Sequence, residues 1–391
     1  MESITRTITH LDLDCFFVSC ERVKNLTLVG KPVIVGGNKT NRGVVSSASY
    51  EARKFGVRSA MPTVQAKRLC PQGIFLSPGF DCYLKLSRSV NHFLNEVAPV
   101  VEQASIDEFY LDLTGCNRIY PDILSFGSFV KEYLTKELKL PCTIAIASSK
   151  LVSKIAVGEA KPNGLIRIEA GEEATFLAPL PINAMPGIGK ATEREMNRLG
   201  FKTLGQIAAA DESFLKQHFG VWGLEFKHLA LGIDDSPVVA YSEPKSIGRE
   251  TTFEHDVGDS EYLLSVLSSF IEECCAELRQ YCFKARTISV KFRLPDFTTF
   301  ERSRTIPATD EEKKICQITE SLFQKNWKLG MKLRLIGVSV SNLVRSEKAQ
   351  ELFPDESHEK QEQLAKQMDR IRAKYGFETI HLGSSLKAHN T

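Results

Sequence analysis

The sequence predicts an α+β chain of several domains, and three observations carry that prediction. A length of 391 residues exceeds one compact domain at about 100–200 residues each, so roughly two to four units are expected. Strand-like and helix-like segments alternate with hairpins over residues 6–160, as in a split βαβ sheet. Residues 246–343 read strand, helix, strand, strand, helix, strand, a second small sheet carrying two helices.

In the first part, residues 6–13 alternate, are rich in β-branched side chains and end in Leu-Asp-Leu-Asp, which reads as a strand. A helix over 16–26 follows. Pro32–Gly36 and Gly43–Ser47 are strand candidates joined through Gly36-Gly37-Asn38, a turn tripeptide. Tyr50–Phe55 and Pro62–Leu69 read as short helices, and Asp81–Val97 as a longer amphipathic one. Val100–Ala104 and Glu108–Leu113 form a hairpin around Ser105-Ile106-Asp107. Helix Ile123–Glu137, strand Cys142–Ala147 and helix Lys150–Ala160 complete this part. Pro/Gly-rich chain at 179–189 leads into helices up to about Gly232, and Asp234–Pro244 reads as a linker. The later elements are Ser246–Phe253, Glu261–Arg279, Arg286–Leu294, Phe300–Ile306, Glu311–Trp327 and Lys332–Val340, before a charged tail with a helix at Gln361–Tyr375.

Composition narrows the class. A hydrophobic fraction of 42% and a charged fraction of 25% are ordinary for a globular protein. There is no long uncharged apolar run and no signal layout at the start, so a cytoplasmic protein without a membrane span is expected. The ten cysteines show no paired C-x-x-C motifs and read as reduced thiols. His10 lies in an apolar run and reads as a satisfied core histidine. A net charge of +2 neither demands nor excludes nucleic acid, so local distribution decides.

The carboxylates carry the chemistry. Asp12 and Asp14 are two apart on a strand and so share a face. Acids at the end of a buried strand are costly unless paired or metal-bound. Asp107-Glu108 stands in a second strand-turn region bracketed by apolar residues. Convergent oxygen donors of this kind suit Mg²⁺, and a pair of ions there could activate a hydroxyl and stabilise a leaving pyrophosphate. Taken alone, the acids fit surface or capping positions equally well.

The motifs tip that balance. His10-Leu11-Asp12-Leu13-Asp14-Cys15-Phe16-Phe17 resembles the first catalytic motif of the Y-family DNA polymerases. Ser105-Ile106-Asp107-Glu108-Phe109-Tyr110-Leu111-Asp112 resembles the second, S-x-D-E-x-Y-L-D. The resemblance spans about residues 6–345 and is most similar to the DinB branch. It implies a right-hand polymerase with a ferredoxin-like palm (1–18 and 78–170), small fingers (19–77), a helical thumb with a helix-hairpin-helix (171–233), a linker (234–245) and a βαββαβ little finger (246–345), then a tail (346–391). It implies a low-fidelity translesion enzyme with no proofreading exonuclease. Two Mg²⁺ ions would be held by Asp12, Asp107, Glu108 and the Leu13 carbonyl, with Asp14 matching the motif without holding metal.

Substrate contacts follow from sequence and resemblance together. Ser47, Tyr50 and Arg53 sit at a helix start, where hydroxyls and a guanidinium can hold a triphosphate; Tyr50 and Arg53 share a helix face. The resemblance puts these three, and Lys161 of the turn Lys161-Pro162-Asn163-Gly164, on the phosphates of an incoming dNTP. It makes Phe17 the aromatic gate that leaves no room for a ribose 2′-hydroxyl.

Primer-template DNA is the other expected partner. Gly187-Ile188-Gly189-Lys190 opens a helix, and such a turn lets backbone N–H groups approach a phosphate without reading sequence. In the strand from Arg286, residues Ile288, Val290 and Phe292 face one way and Thr287, Ser289, Lys291 and Arg293 the other, so Lys291 and Arg293 are candidate phosphate contacts. Arg302, Arg304, Lys332 and Arg334 join them only if a bulge mends their parity. The stretch Lys245–Glu250, with Arg249, resembles the start of the family's little finger. Gln350-Glu351-Leu352-Phe353 resembles the sliding-clamp pentapeptide of the DinB branch with a spacing one residue short, Ala349 standing where Gln is expected. A monomer is expected. The competing readings are a silent family member that only scaffolds DNA, argued against by the intact acids; a nucleotidyl cyclase, argued against by the helix-hairpin-helix and the basic last domain; and a UmuC-type relative within the same family.

Overall fold

The computed structural model describes residues 6–37, 42–120, 122–346 and 356–389. The chain divides into two compact units at the 242/243 boundary, inside the expected linker.

The first unit starts with β1 (Ile8–Leu13), α1 (Phe16–Lys24), β2 (Val33–Gly36), β3 (Val45–Ala48), α2 (Tyr50–Arg53), α3 (Thr63–Leu69) and β4 (Ile74–Leu76). It continues with α4 (Phe80–Val97), β5 (Val100–Gln103), β6 (Glu108–Asp112), α5 (Ile123–Lys136), β7 (Cys142–Ala147), α6 (Lys150–Ala160) and β8 (Leu165–Arg167). The short strands β4 and β8 have too few residues to show alternation, which is why sequence periodicity passes over them. The main sheet runs β5-β6-β1-β7-β8, and β2, β3 and β4 form a separate three-stranded sheet in the order β3-β2-β4.

Strand parity in β1 decides the layout of the site. Leu11 and Leu13 point into a core shared with α4 and α5, burying apolar area that favours the fold at about 25 cal/mol per Å². His10 and Asp12 therefore point to the opposite face, where α6 packs on β7 through Leu151, Val152 and Ile155. The strand is buried along its whole length, so its polar side chains must find partners inside the protein.

Helices α7 (Glu173–Leu177), α8 (Lys190–Arg198), α9 (Leu204–Ala209), α10 (Glu212–Phe219) and α11 (Val221–Ala230) follow, packed around Leu177, Met196, Leu204, Ile207 and Leu215. Thr203 and Gln206 close a capping box on α9. The expected linker has no helix or strand over 234–242, yet its first half is tied down. Asp234 caps the Leu151 N–H at 2.8 Å, Glu102 accepts from the Val239 N–H at 2.8 Å, and Val238 is buried against Ile8 and Tyr110.

The second unit contains β9 (Ser246–Val257), α12 (Ser260–Gln280), β10 (Phe283–Arg293), β11 (Thr299–Thr309), α13 (Glu312–Asn326) and β12 (Leu333–Arg345). Its antiparallel sheet has the order β11-β10-β12-β9. Ile288, Val290 and Phe292 are fully buried with α12 and α13 residues, as their parity predicts. The expectation that Arg302 and Arg304 could join the other face through a bulge needs correction. Arg302 pairs with Val290 and Arg304 with Ile288 across β10–β11, and Arg249 with Val338 across β9–β12; all three are in register with apolar-face residues. The irregularity in β10–β11 lies at Ala285/Thr287, beyond these pairs, so no bulge restores the parity. Arg249 is bound by Glu273 and Glu277 of α12 at 2.7 and 2.8 Å.

The tail helix α14 (Glu356–Tyr375) docks through a buried charge network. Arg279 binds Asp369 at 2.6 Å and Glu312 at 3.0 Å, while Arg372 pairs with Glu272, which is 0% exposed. The Ser385 hydroxyl and the Leu382 N–H donate to the other Glu272 oxygen. The segment 350–353 lies outside the described residues. Losing one partner of a buried pair leaves a desolvated charge, at a cost of about 3–5 kcal/mol. Arg372→Met should therefore lower the stability of the second unit by about that amount in urea unfolding of the full chain; a change under ~1 kcal/mol would mean that the pair is solvated.

Candidate active site

The site forms where β1 and β6 run antiparallel. Asp12 and Glu108 are direct cross-strand partners, and such partners hold their Cβ atoms about 4.5–5.5 Å apart. Asp107 lies one residue earlier at the hairpin end, where its carbonyl accepts from the Leu13 N–H at 3.0 Å. Ser105 organises this corner: its Oγ donates to Asp107 Oδ1 at 2.6 Å and accepts from the Glu108 N–H at 3.0 Å. Asp12 and Glu108, from two distant motifs, thus share one sheet face, and Asp107 lies close enough at the hairpin end to repel Asp12.

Like charges this close need compensation, and two lysines supply it. Lys161 Nζ lies 2.6 Å from Asp12 Oδ2, and Lys154 Nζ lies 2.5 Å from Glu108 Oε2. Even so, the Asp12 carboxyl is pushed up to about 6: burial is the largest cause, Lys161 opposes it, and Asp107 and Glu108 add to it. Lys154 had no motif to announce it. Its signal is its place one turn after Lys150 on α6, on the side that meets β1.

His10 departs from expectation. It is buried, but neither ring nitrogen has a hydrogen-bond partner. Its ring lies 4.4 Å from that of Tyr110. Burial first, then Lys154, Lys161 and Lys150, pushes its pKa down to about 3, so the imidazole is neutral.

Asp14 lies beyond the end of β1 and does not join the cluster. Its carboxylate accepts from Thr143 Oγ1 at 3.1 Å, from the Tyr50 hydroxyl at 3.1 Å and from the Asn163 N–H at 2.8 Å. Lys131 reaches the same turn: its Nζ donates to the carbonyls of Cys142, Asn163 and Gly164 at 2.8–3.0 Å. Asp14 and Lys131 together fix the turn that carries Lys161. Neither Lys131 nor Thr143 was foreseen, because their partners are far away in sequence.

Around this centre, Phe17 is half-buried and stacks on Tyr83 with centroids 4.6 Å apart, with Phe80 edge-on at 5.7 Å. The Tyr83 hydroxyl is anchored on Glu21 at 2.6 Å. Ser47 is buried on β3. Arg53 sits over the Tyr50 ring at 4.9 Å and donates to the Ala48 carbonyl at 3.0 Å. Away from the centre, Gly187 has φ +92°, a conformation that favours glycine. Gly189 caps α8 without a side-chain hydrogen bond, and Lys190 is exposed beside it. In the second unit Lys291 is held by Glu250 at 2.6 Å and Arg293 by Thr299 at 2.8 Å.

The raised Asp12 pKa gives a signed prediction for the metal-free protein. Below about pH 4 the carboxyl is neutral in folded and unfolded chains alike. Between pH 3.8 and about 6 the unfolded chain releases this proton while the folded chain keeps it, so stability falls across that interval and levels off above it. The interval between 3.8 and about 6 corresponds to roughly 3 kcal/mol. Asp12→Asn should therefore gain on the wild type by about that amount between pH 4 and pH 7 in denaturant melts; a pH-independent difference would contradict the burial of this charge.

Comparison with known proteins agrees with this geometry. Residues 11–158 match the impB/mucB/samB family, residues 170–201 the IMS family HHH motif and residues 244–352 the impB/mucB/samB family C-terminal domain. The chain is similar to DNA polymerase IV of Dehalococcoides mccartyi (strain CBDB1), 42% identical over 385 residues and 98% of each chain. It is also similar to DNA polymerase IV 1 of Bacillus subtilis (strain 168), 36% identical over 99% of this chain and 95% of that one. Among solved structures, a Y-family DNA polymerase chimera superposes with a TM-score of 0.78 at 28% identity, and DinB from Sulfolobus solfataricus with 0.61 at 28%; each comparison covers 87% of this chain and 99% of the other. Two carboxylate motifs on paired strands, a helix-hairpin-helix after them and a four-stranded last domain, matched along nearly the whole length by relatives of one kind, mean that the chain belongs to the Y-family of translesion DNA polymerases, in its DNA polymerase IV group, and is a DNA-directed DNA polymerase.

Proposed function

We propose that the enzyme adds deoxynucleotides to a primer 3′-hydroxyl at a two-Mg²⁺ centre held by Asp12, Asp107, Glu108 and the Leu13 carbonyl, copying past damaged template bases at low fidelity. The observation that carries this reading is the Asp12–Glu108 cross-strand pairing with Asp107 at its edge. The site fits hard divalent cations. Its donors are oxygens, and their mutual repulsion, part of what raises the Asp12 pKa, is what a cation relieves. When bound, the ions would supply Lewis-acid activation of the 3′-hydroxyl and charge stabilisation at the leaving pyrophosphate.

The protein's own residues do the positioning. Lys154 and Lys161 keep the acids close before substrates arrive. With cations present, Lys161 is freed to meet the triphosphate, its turn held in place by Asp14 and Lys131. Arg53 and Ser47 grip phosphate oxygens by charge-assisted and neutral hydrogen bonds. Tyr50, whose hydroxyl also binds Asp14, ties that grip to the catalytic strand. Phe17, backed by the Tyr83 ring, presents a rigid wall to the sugar.

Primer-template DNA is held without reading sequence. The exposed start of α8 at Gly187, Gly189 and Lys190 offers backbone N–H groups to a phosphate. Lys291 and Arg293 supply charge from the open sheet face of the last domain. Arg302 and Arg304 are exposed on its edge strand, and Arg249 supports the domain through α12. The spacing of Gln350–Phe353 leaves sliding-clamp docking as a further reading of the tail. Among the described residues no helix is long and apolar enough to cross a membrane, and the free thiols suit the reducing cytoplasm.

Two outcomes test the reading. Glu108→Gln is near-isosteric and should reduce primer extension by at least about 10³-fold (~4 kcal/mol), comparable to losing a main electrostatic stabiliser, while primer-template affinity changes less than about twofold. Extension at the wild-type rate would sink the assignment. Phe17→Ala should cut the preference for dNTP over rNTP by roughly 30–150-fold, equivalent to about 2–3 kcal/mol. If the folded variant keeps the wild-type ratio of incorporation efficiencies, the ring is a packing group and the gate lies elsewhere.

A further inference from the structure

The imidazole of His10 is 0% exposed, and both of its nitrogens lack a partner. Buried polar atoms are nearly always bonded, so an unpaired pair in one ring asks for a ligand. The ring has few ways to turn aside, because Tyr110 lies against it at 4.4 Å and the Lys150 ammonium sits 4.6 Å from the other ring's centroid. His10 is two residues before Asp12 and shares its strand face; its cross-strand partner is Tyr110, so the His10–Tyr110 pair is the next on that face after Asp12–Glu108. One ring nitrogen and one carboxylate oxygen from each of Asp12 and Glu108 lie within 4.8 Å of one another. A tetrahedral ion with bonds of about 2.0–2.2 Å to nitrogen and oxygen holds its donors roughly 3.4 Å apart, so closure asks the Asp12 and Glu108 side chains to swing inward by up to about an ångström.

We infer that His10, Asp12 and Glu108 form a mixed nitrogen–oxygen site for a borderline first-row divalent cation such as Fe²⁺, Co²⁺ or Zn²⁺, set deeper against the sheet than an all-oxygen Mg²⁺ site. The inference rests on the carboxylate reading proposed above and adds a donor to it. Imidazole suits transition metals, whereas Mg²⁺ prefers oxygen ligands and retains its waters. An ion at this site draws Asp12 and Glu108 towards β1 and displaces Lys154 and Lys161 from them. It leaves Asp107 outside. Such an ion would bind in the absence of DNA and nucleotide, because every protein donor comes from the paired strands.

The test uses the full chain, stripped of metal, with Mn²⁺ as the probe. Pulsed electron paramagnetic resonance should show a directly bound nitrogen, and labelling the protein with ¹⁵N-histidine should change its frequency, with no substitution involved. In His10→Gln, checked for folding by circular dichroism, the nitrogen signal should vanish. The Mn²⁺ Kd should weaken at least about tenfold, the low end of what even outer-shell ligand partners contribute, while the Mg²⁺ Kd stays nearly unchanged. Mn²⁺ bound with no nitrogen signal overturns the His10 assignment and leaves the carboxylate reading standing. A nitrogen signal that survives in His10→Gln assigns the ligand to another histidine and also overturns it. No Mn²⁺ binding to the wild type without DNA and nucleotide overturns the His10 site, and leaves the carboxylate reading to be tested with both substrates present.

Discussion

The constraint on which the site depends is the register of β1 against β6. Once Asp12 stands opposite Glu108, three acids are gathered at one edge of a buried strand, and the surrounding structure must make that bearable. Leu11 and Leu13 hold the strand from its other side. A one-residue slip would exchange the faces, sending the leucines towards α6 and Asp12 into the apolar core. The hydrophobic pattern that folds the sheet is thus the same pattern that aims the carboxylates.

Compensation comes from two directions. Lys154 arrives on α6, which packs on the same face, and Lys161 arrives from the turn that follows that helix. Asp14 and Lys131 fix this turn, and Asp14 also receives the Tyr50 hydroxyl. One buried carboxylate therefore couples the catalytic strand, the candidate phosphate grip and the loop of Lys161. This gives Asp14 a structural role in the motif without a place among the candidate metal donors.

Much of this was legible in the sequence. Local periodicity announces β1, β6 and the long helices, and the two acidic motifs mark Asp12, Asp107 and Glu108. What escaped notice was long-range. Lys131, Lys154 and Thr143 look like ordinary helix or strand residues until folding brings their partners to them. The unpaired nitrogens of His10 cannot be read from an apolar run, since burial and satisfaction are separate properties. In the last domain, alternation correctly sorts β10, but parity cannot be carried across strands without the register. That is why Arg249, Arg302 and Arg304 align with the apolar side. The tail shows one helix in its sequence and gives no sign that Glu272 and Arg372, a hundred residues apart, would meet in a buried pair.

The central claim is that the cluster is built to exchange lysine partners for cations. The most direct measurement is diffraction from crystals holding a chain-terminated primer-template, the incoming deoxynucleotide and Mn²⁺, with the ions located by anomalous scattering. The account predicts anomalous peaks coordinated by Asp12, Asp107 and Glu108, with the Lys154 and Lys161 ammonium groups withdrawn from the carboxylates and Lys161 turned to the triphosphate. Peaks away from these acids, or both lysines still paired with the carboxylates, would contradict it.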